Sequence, residues 1–247
     1  MKRLVLVVAL LPVCAPSDHA GSAEGPHWSY AGPSGPEHWG ALDSAFTACS
    51  AGRAQSPINL ATFVEADLPP LVFSHTAGAV EVQHHGHTIQ VPVPPGNALR
   101  VGERAYALRQ FHFHAPSENQ IEGRAYPLEA HFVHADSSGA LLVVAVMFQE
   151  GAASAALDEI WAHTPEVSGA TRALPAPLAP AALLPPSRDY YRFGGSLTTP
   201  PCSEDVEWHV LREPASASAE QVAFFSAKIG HANNRPLQPV NDRPVYR

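Results

Sequence analysis

The 247-residue sequence predicts a mainly β (α+β) single domain with a few short helices, and three observations point there. Turn formers are abundant, 17 glycines and 25 prolines, and they separate short apolar runs rather than long helical ones. Several of those runs alternate apolar and polar residues, the period of two that a half-buried strand imposes. Finally, 45% of the residues are hydrophobic against 15% charged, enough for one substantial core, with no repeat and no linker to divide it.

The chain opens with Lys2 and Arg3 ahead of an apolar run over 4–13, too short to span a bilayer and followed by small residues near 20–23. This reads as an export signal over 1–23, leaving 24–247 as one domain outside the cytoplasm, periplasmic or secreted. Cys14, just after the run, raises lipoprotein anchoring as a minority alternative, which the large Val13 before it disfavours. Residues 24–57 are rich in Gly, Pro, Ser and Trp and read as an ordered surface arm anchored by Trp28, Tyr30 and Trp39. A sheet meander follows: Leu71-Val72-Phe73, Ala79-Val80-Glu81-Val82, Thr88-Ile89-Gln90-Val91 and Tyr106-Ala107-Leu108, punctuated by Gly78, Gly86, Pro94-Pro95-Gly96-Asn97 and Gly102-Glu103. The polar stretch 115–126 connects to a strand over 128–134, and the apolar run 141–148 suits a strand buried on both faces. Helical composition marks 152–162 and 218–229, and strand character resumes at 190–193 and 206–211. The Pro-, Ala- and Leu-rich stretch 165–187 reads as irregular surface, and the chain from 234 onward as extended.

Net charge is −8, and 13 of the 15 basic residues are arginines scattered without a run. That is no nucleic-acid footprint, so the expected partner is small or neutral. Signal removal leaves Cys49 and Cys202, a pair in an oxidising compartment. A bond between them closes a loop of about 150 residues, worth ~4–5 kcal/mol in the loop-entropy picture. Two buried thiols are the alternative.

The chemistry centres on Gln110-Phe111-His112-Phe113-His114. On a strand the three polar residues share one face and the two phenylalanines pack the other, so two imidazoles can converge on one metal ion. By itself His-x-His is a weak signal. His131 lies in a strand that can return antiparallel beside the first, and three neutral imidazoles leave a fourth tetrahedral position open, as in a catalytic zinc site. His134 falls on the opposite face and reads as a hydrogen-bonded core residue. Gln110 and Glu129 each precede a ligand by two and can accept its ring N–H, fixing the tautomer. On spacing alone, three unrelated histidines remain the alternative.

These blocks resemble the α-class carbonic anhydrases. The resemblance rests on Gln110–His114, on Glu129-Ala130-His131-Phe132-Val133-His134, and on Gly195-Ser196-Leu197-Thr198-Thr199-Pro200-Pro201-Cys202. It is joined by Gln55-Ser56-Pro57-Ile58-Asn59, His85-Gly86-His87 and Asn234-Arg235-Pro236-Leu237-Gln238-Pro239, all in family order from about residue 27 to the end. Pro116-Ser117-Glu118-Asn119 and Cys202 after the double proline resemble the bacterial, exported branch. The resemblance implies a large, mostly antiparallel twisted sheet of about ten strands with short peripheral helices. It also implies one zinc ion per chain on His112, His114 and His131, and reversible hydration of carbon dioxide to bicarbonate and a proton by zinc-bound hydroxide.

By the same resemblance Thr198 accepts the hydroxide's hydrogen and donates its own to an ionised Glu118. Val133, Val143, Leu197, Val206 and Trp208 form the apolar wall for carbon dioxide. His87 is the proton shuttle, suited by an ordinary imidazole pKa near 6.5. Tyr30 and Thr199 order water in the cavity. His84 and His85, just upstream of the shuttle, read as exposed rim residues, with a second relay as the alternative. Ala115 and Asn234 stand where many animal members carry Trp. The partners implied are carbon dioxide and bicarbonate, with no nucleic acid and no membrane span; a homodimer stays open. A zinc-free binding module on the same scaffold is disfavoured by the intact ligands, and a zinc hydrolase acting on esters is the remaining rival.

Overall fold

The computed structural model describes residues 27–247; the expected export signal over 1–23 and Cys14 lie outside the described residues. One sheet contains thirteen of the described strands. Its centre, in spatial order, is Ala79–His84, Ile89–Pro92, Arg104–His114, Leu128–Ala135, Leu141–Glu150, Glu204–Leu211 and Tyr190–Ser196. The first five are joined by antiparallel pairing. Leu141–Glu150 then runs parallel to Glu204–Leu211 and to Ala215–Ala217, and Phe63–Val64 parallel to Val245–Tyr246. The sheet is therefore larger than the resemblance implies, and mixed at one side while mostly antiparallel.

A bulge sets which way the side chains of Arg104–His114 face. Tyr106 and Leu108 belong to the larger core cluster, and so do Phe111 and Phe113. Strict alternation would put the first pair opposite the second. A register shift between Leu108 and Gln110 inserts Arg109 as one extra residue and reverses the phase. Gln110, His112 and His114 are thereby turned away from that core while all four aromatic and aliphatic side chains stay in it. In the neighbouring strand Leu128, Ala130 and Phe132 point into the same core, leaving Glu129, His131 and Val133 on the other face. His134 is fully buried on the core side, its Nδ1 2.8 Å from the Phe132 carbonyl, as its parity implies.

The run expected to be buried twice over is. Leu142, Val144, Val146 and Phe148 pack one cluster, and Val143, Ala145 and Met147 another with Val206 and Trp208. The expected helices form at Ala155–Ala162 and Ala219–Ile229, capped by the Ser154 and Ser218 side chains, and seal the larger core with Leu157, Ile160, Trp161, Phe225 and Ile229. None of the described helices is long and apolar enough to cross a membrane.

One stretch differs from expectation. Within 165–187, Thr171–Leu178 is a strand paired antiparallel with Ala79–His84, followed by a short 3₁₀ turn at Pro180–Leu183. Pro175 and Pro177 lack ladder donors, and the strand tolerates them because it forms the sheet edge and its register slips between Ala173 and Leu178. The N-terminal arm is ordered as expected: Trp39 is fully buried, donates from Nε1 to the Ser29 and Ser34 carbonyls, and packs with Trp28, Tyr30 and the Cys49–Cys202 disulfide.

Candidate metal centre

Each candidate ligand is placed by a strand and oriented through its far ring nitrogen. His112 and His131 stand directly opposite one another in the ladder, and His114 lies two residues along. Ring centroids are 5.1 Å apart for His112 and His114, 5.4 Å for His112 and His131, and 4.5 Å for His114 and His131. One ring nitrogen from each comes within 4.8 Å of the other two.

The partners fix the tautomers. Nδ1 of His112 is 2.8 Å from Gln110 Oε1, and Nδ1 of His114 is 2.7 Å from the Asn233 carbonyl. Both oxygens only accept, so these nitrogens carry the protons and each Nε2 is bare. For His131 the sides are exchanged: Nε2 lies 2.9 Å from Glu129 Oε1, an ion-pair contact outside hydrogen-bond geometry, so the carboxylate orients the ring by charge and leaves Nδ1 toward Glu118. His114 Nε2 is buried and meets no hydrogen-bond partner. A buried, bare imidazole nitrogen with nothing to bind is unfavourable unless a cation completes it. The donor set of three neutral imidazoles fits Zn²⁺ with one coordination position to spare.

Electrostatics agree with that fit. Burial, then the neighbouring rings, hold His112 and His131 well below the usual imidazole pKa. Burial lowers His114 too, opposed by its bond to Asn233 and by the Glu129 charge. All three therefore stay in the neutral, ligating form at neutral pH.

Beside them, Glu118 is buried with Oε2 at 3.6 Å from His114 Nε2 and 3.9 Å from His131 Nδ1. Its Oε1 accepts the Arg235 backbone N–H at 2.8 Å. Burial pushes this carboxyl up to about 8, while the Arg235 N–H and then the Thr198 side chain pull it down. That departs from the ionised carboxylate the resemblance implies; a cation on the adjacent imidazoles is what would restore it. Thr198 is buried in a loop fixed on both sides. The Leu197 N–H donates to the Ser203 carbonyl at 3.0 Å and the Cys202 N–H to the Thr199 carbonyl at 2.9 Å. The disulfide from Cys202 to Cys49, 153 residues apart, ties that loop to the arm.

An apolar wall adjoins the rings. Val143, Val206 and Trp208 are core residues of one cluster, with Val133 and Leu197 packed against it. The Trp208 ring meets His131 edge-on at 4.9 Å, and its Nε1 donates to the Ser196 carbonyl at 3.0 Å. His87 is half-buried against Trp28, ring centroids 4.7 Å apart, and burial takes it down to about 4. Tyr30 shares the Trp28 cluster, and its buried hydroxyl has no partner. Burial first, then Glu118, raises its pKa well above the usual value, so it remains a donor. Thr199 lies half-buried beside Thr198. His85 is exposed as expected, but His84 is buried with both ring nitrogens unpartnered, and its backbone pairs with Gly169 and Ala170.

Two positions went unassigned in the sequence. Asn233 supplies the carbonyl for His114, while its side chain accepts the Ala115 N–H at 2.8 Å and donates to the His87 and Phe113 carbonyls, both at 2.9 Å. Arg235, though buried, donates to Gln55 Oε1 and to the Ser56 and Cys49 carbonyls. Its place in the Asn234-Arg235-Pro236 block was visible, but no local periodicity marks a backbone carbonyl that reaches across 119 residues.

Residues 34–247 match the family model described as eukaryotic-type carbonic anhydrase. The chain is 47% identical over 245 residues to a carbonic anhydrase of Pectobacterium carotovorum, covering 99% of each. Among solved structures, α-carbonic anhydrase from Thermovibrio ammonificans, in complex with the inhibitor sulfanilamide, superposes with a TM-score of 0.89 at 45% identity, over 91% of this chain and 100% of that one. The Photobacterium profundum α-carbonic anhydrase gives 0.85 at 46% identity, over 90% of this chain and 100% of that one.

Proposed function

This chain belongs to the eukaryotic-type, or α-class, carbonic anhydrases, lyases that interconvert carbon dioxide and bicarbonate, and from that premise we propose a zinc-dependent hydration with a histidine proton outlet. The observation that carries the reading is the set of three bare imidazole nitrogens, each aimed by a partner on the ring's far side. His112, His114 and His131 hold one Zn²⁺. When bound, zinc supplies an acidified water as the nucleophile at neutral pH and a positive charge for the product anion.

The remaining steps belong to side chains. Thr198 gives its hydroxyl hydrogen to Glu118 and so keeps a lone pair for the hydrogen of the attacking water, which aims the nucleophile. Val133, Val143, Leu197, Val206 and Trp208 form an apolar slot that holds uncharged carbon dioxide without hydrogen bonds and keeps bulk water off it. Tyr30 and Thr199 order water between the centre and the rim, and His87 accepts the proton that must leave in each turnover. Export through the segment over 1–23 is part of the same reading and fits an oxidised Cys49–Cys202 pair.

Metal analysis of the purified protein tests the ligand assignment. One zinc per chain is expected, with loss of metal and nearly all hydration in His112→Ala; normal zinc content in that variant removes His112 from the ligand set.

A further inference from the structure

His85 and His87 flank Gly86 in a turn closed by the His85 N–H on the Thr88 carbonyl at 2.9 Å. Gly86 has φ of 81°, the left-handed region that glycine enters freely, and a Cβ there would meet Ser168 Oγ at 2.7 Å. The turn sets the two imidazoles side by side, 6.1 Å between centroids, with His87 half-buried and His85 exposed.

We propose that His85 is the outer member of a two-imidazole relay, taking from His87 the proton that leaves the site and passing it to buffer in solution. The inference rests on the reading of His87 as the inner acceptor. Distance is the first support: two hydrogen bonds through one water span about 5.5 Å between heavy atoms, which suits rings at this separation. The second is the tautomer. His85 Nε2 lies 3.1 Å from Gln83 Oε1, an acceptor that also takes Gln90 Nε2 at 3.3 Å, while Gln83 Nε2 donates to Glu81 Oε1 at 3.0 Å. That chain makes His85 donate from Nε2 and leaves Nδ1 bare to receive a proton.

The third support is confinement of His87. Trp28 packs against its ring, centroids 4.7 Å apart, so its position favours handing the proton on over swinging out with it. Burial takes His87 to about 4, which makes it a poor resting place for a proton at neutral pH; burial and His84 lower His85 as well, but its ring reaches solvent. A further imidazole near this cluster, exposed His231, lies beside Tyr30 with centroids 6.0 Å apart. In each transfer one N–H or O–H bond breaks as another forms, and the buffer base takes the last proton.

The test uses zinc-loaded wild type, His85→Ala, His87→Ala and His231→Ala, with kcat and kcat/KM of hydration measured in weak buffer, and ¹⁵N NMR of the imidazoles. His87→Ala should lower kcat by about an order of magnitude, and His85→Ala by roughly threefold or more, both with kcat/KM unchanged and both rescued by added imidazole. His231→Ala should change neither constant. The NMR signature of His85 should be the Nε2–H tautomer, and its removal should raise the pKa of His87 by deleting a neighbouring positive charge. Unchanged kcat in His85→Ala beside a slowed His87→Ala overturns the relay while leaving His87 as shuttle. Unchanged kcat in His87→Ala overturns both, and an Nδ1–H tautomer at His85 overturns the relay without reference to turnover.

Discussion

Glu129 grips His131 with one oxygen and the Glu118–Asn119 backbone with the other: Oε1 is 2.9 Å from His131 Nε2, and Oε2 accepts the N–H groups of Glu118 at 2.6 Å and Asn119 at 3.0 Å. Asn119 Nδ2 donates to Oε1 at 2.9 Å as well. One buried carboxylate thus orients a ligand and fixes the backbone of Glu118. Glu129→Gln keeps the shape but loses the charge and one acceptor, so zinc affinity should fall by about 10- to 100-fold. Competition with a calibrated chelator measures this, and an unchanged affinity would show that His131 is held by the strand alone.

Asn233→Ala strips the partner from the Ala115 N–H and the donor from the His87 and Phe113 carbonyls. Buried groups left unpaired cost about 1–3 kcal/mol each, and the carbonyl that orients His114 moves with this backbone. Urea unfolding of the zinc-bound protein should show a loss of that order, together with weaker zinc binding.

Much of this architecture could be read from the residues. The parity of Phe111 and Phe113 against His112 and His114 placed two candidate ligands on one face, and Glu129 before His131 gave the third candidate its orienting acid. The Arg109 bulge was also latent there, since the apolar parity changes between Leu108 and Phe111. What stayed hidden was tertiary. The edge strand Thr171–Leu178 breaks strand preference with its prolines and exists because Ala79–His84 offers it a ladder. His84 looked like a rim residue beside His85, but it is buried in the folded chain, its backbone paired with Gly169 and Ala170.

Buried histidines should shape the acid limb of stability. In the unfolded chain an imidazole binds its proton near 6.5, whereas burial takes folded His134 to about 3. Between those values the unfolded state holds more protons, so stability is complete above about 6.5 and lost as pH falls toward 3. His134→Gln should flatten that limb in a pH series of urea midpoints; an unchanged slope would mean that His134 does not titrate differently in the two states.

The Cys49–Cys202 bond closes a loop across most of the domain and tethers the Thr198 loop to the arm. Its reduction should destabilise the fold by ~4–5 kcal/mol in the loop-entropy picture. Urea unfolding with and without reductant measures the difference. An intact mass with two free thiols in the untreated, purified protein would contradict the bond itself.

The central claim is that His112, His114 and His131 hold a zinc ion that lets this chain hydrate carbon dioxide. Stopped-flow hydration on metal-stripped protein titrated with Zn²⁺ tests it most directly. Activity should rise from the buffer background to a plateau at one zinc per chain. A fully zinc-loaded, folded protein that hydrates carbon dioxide no faster than buffer would contradict it.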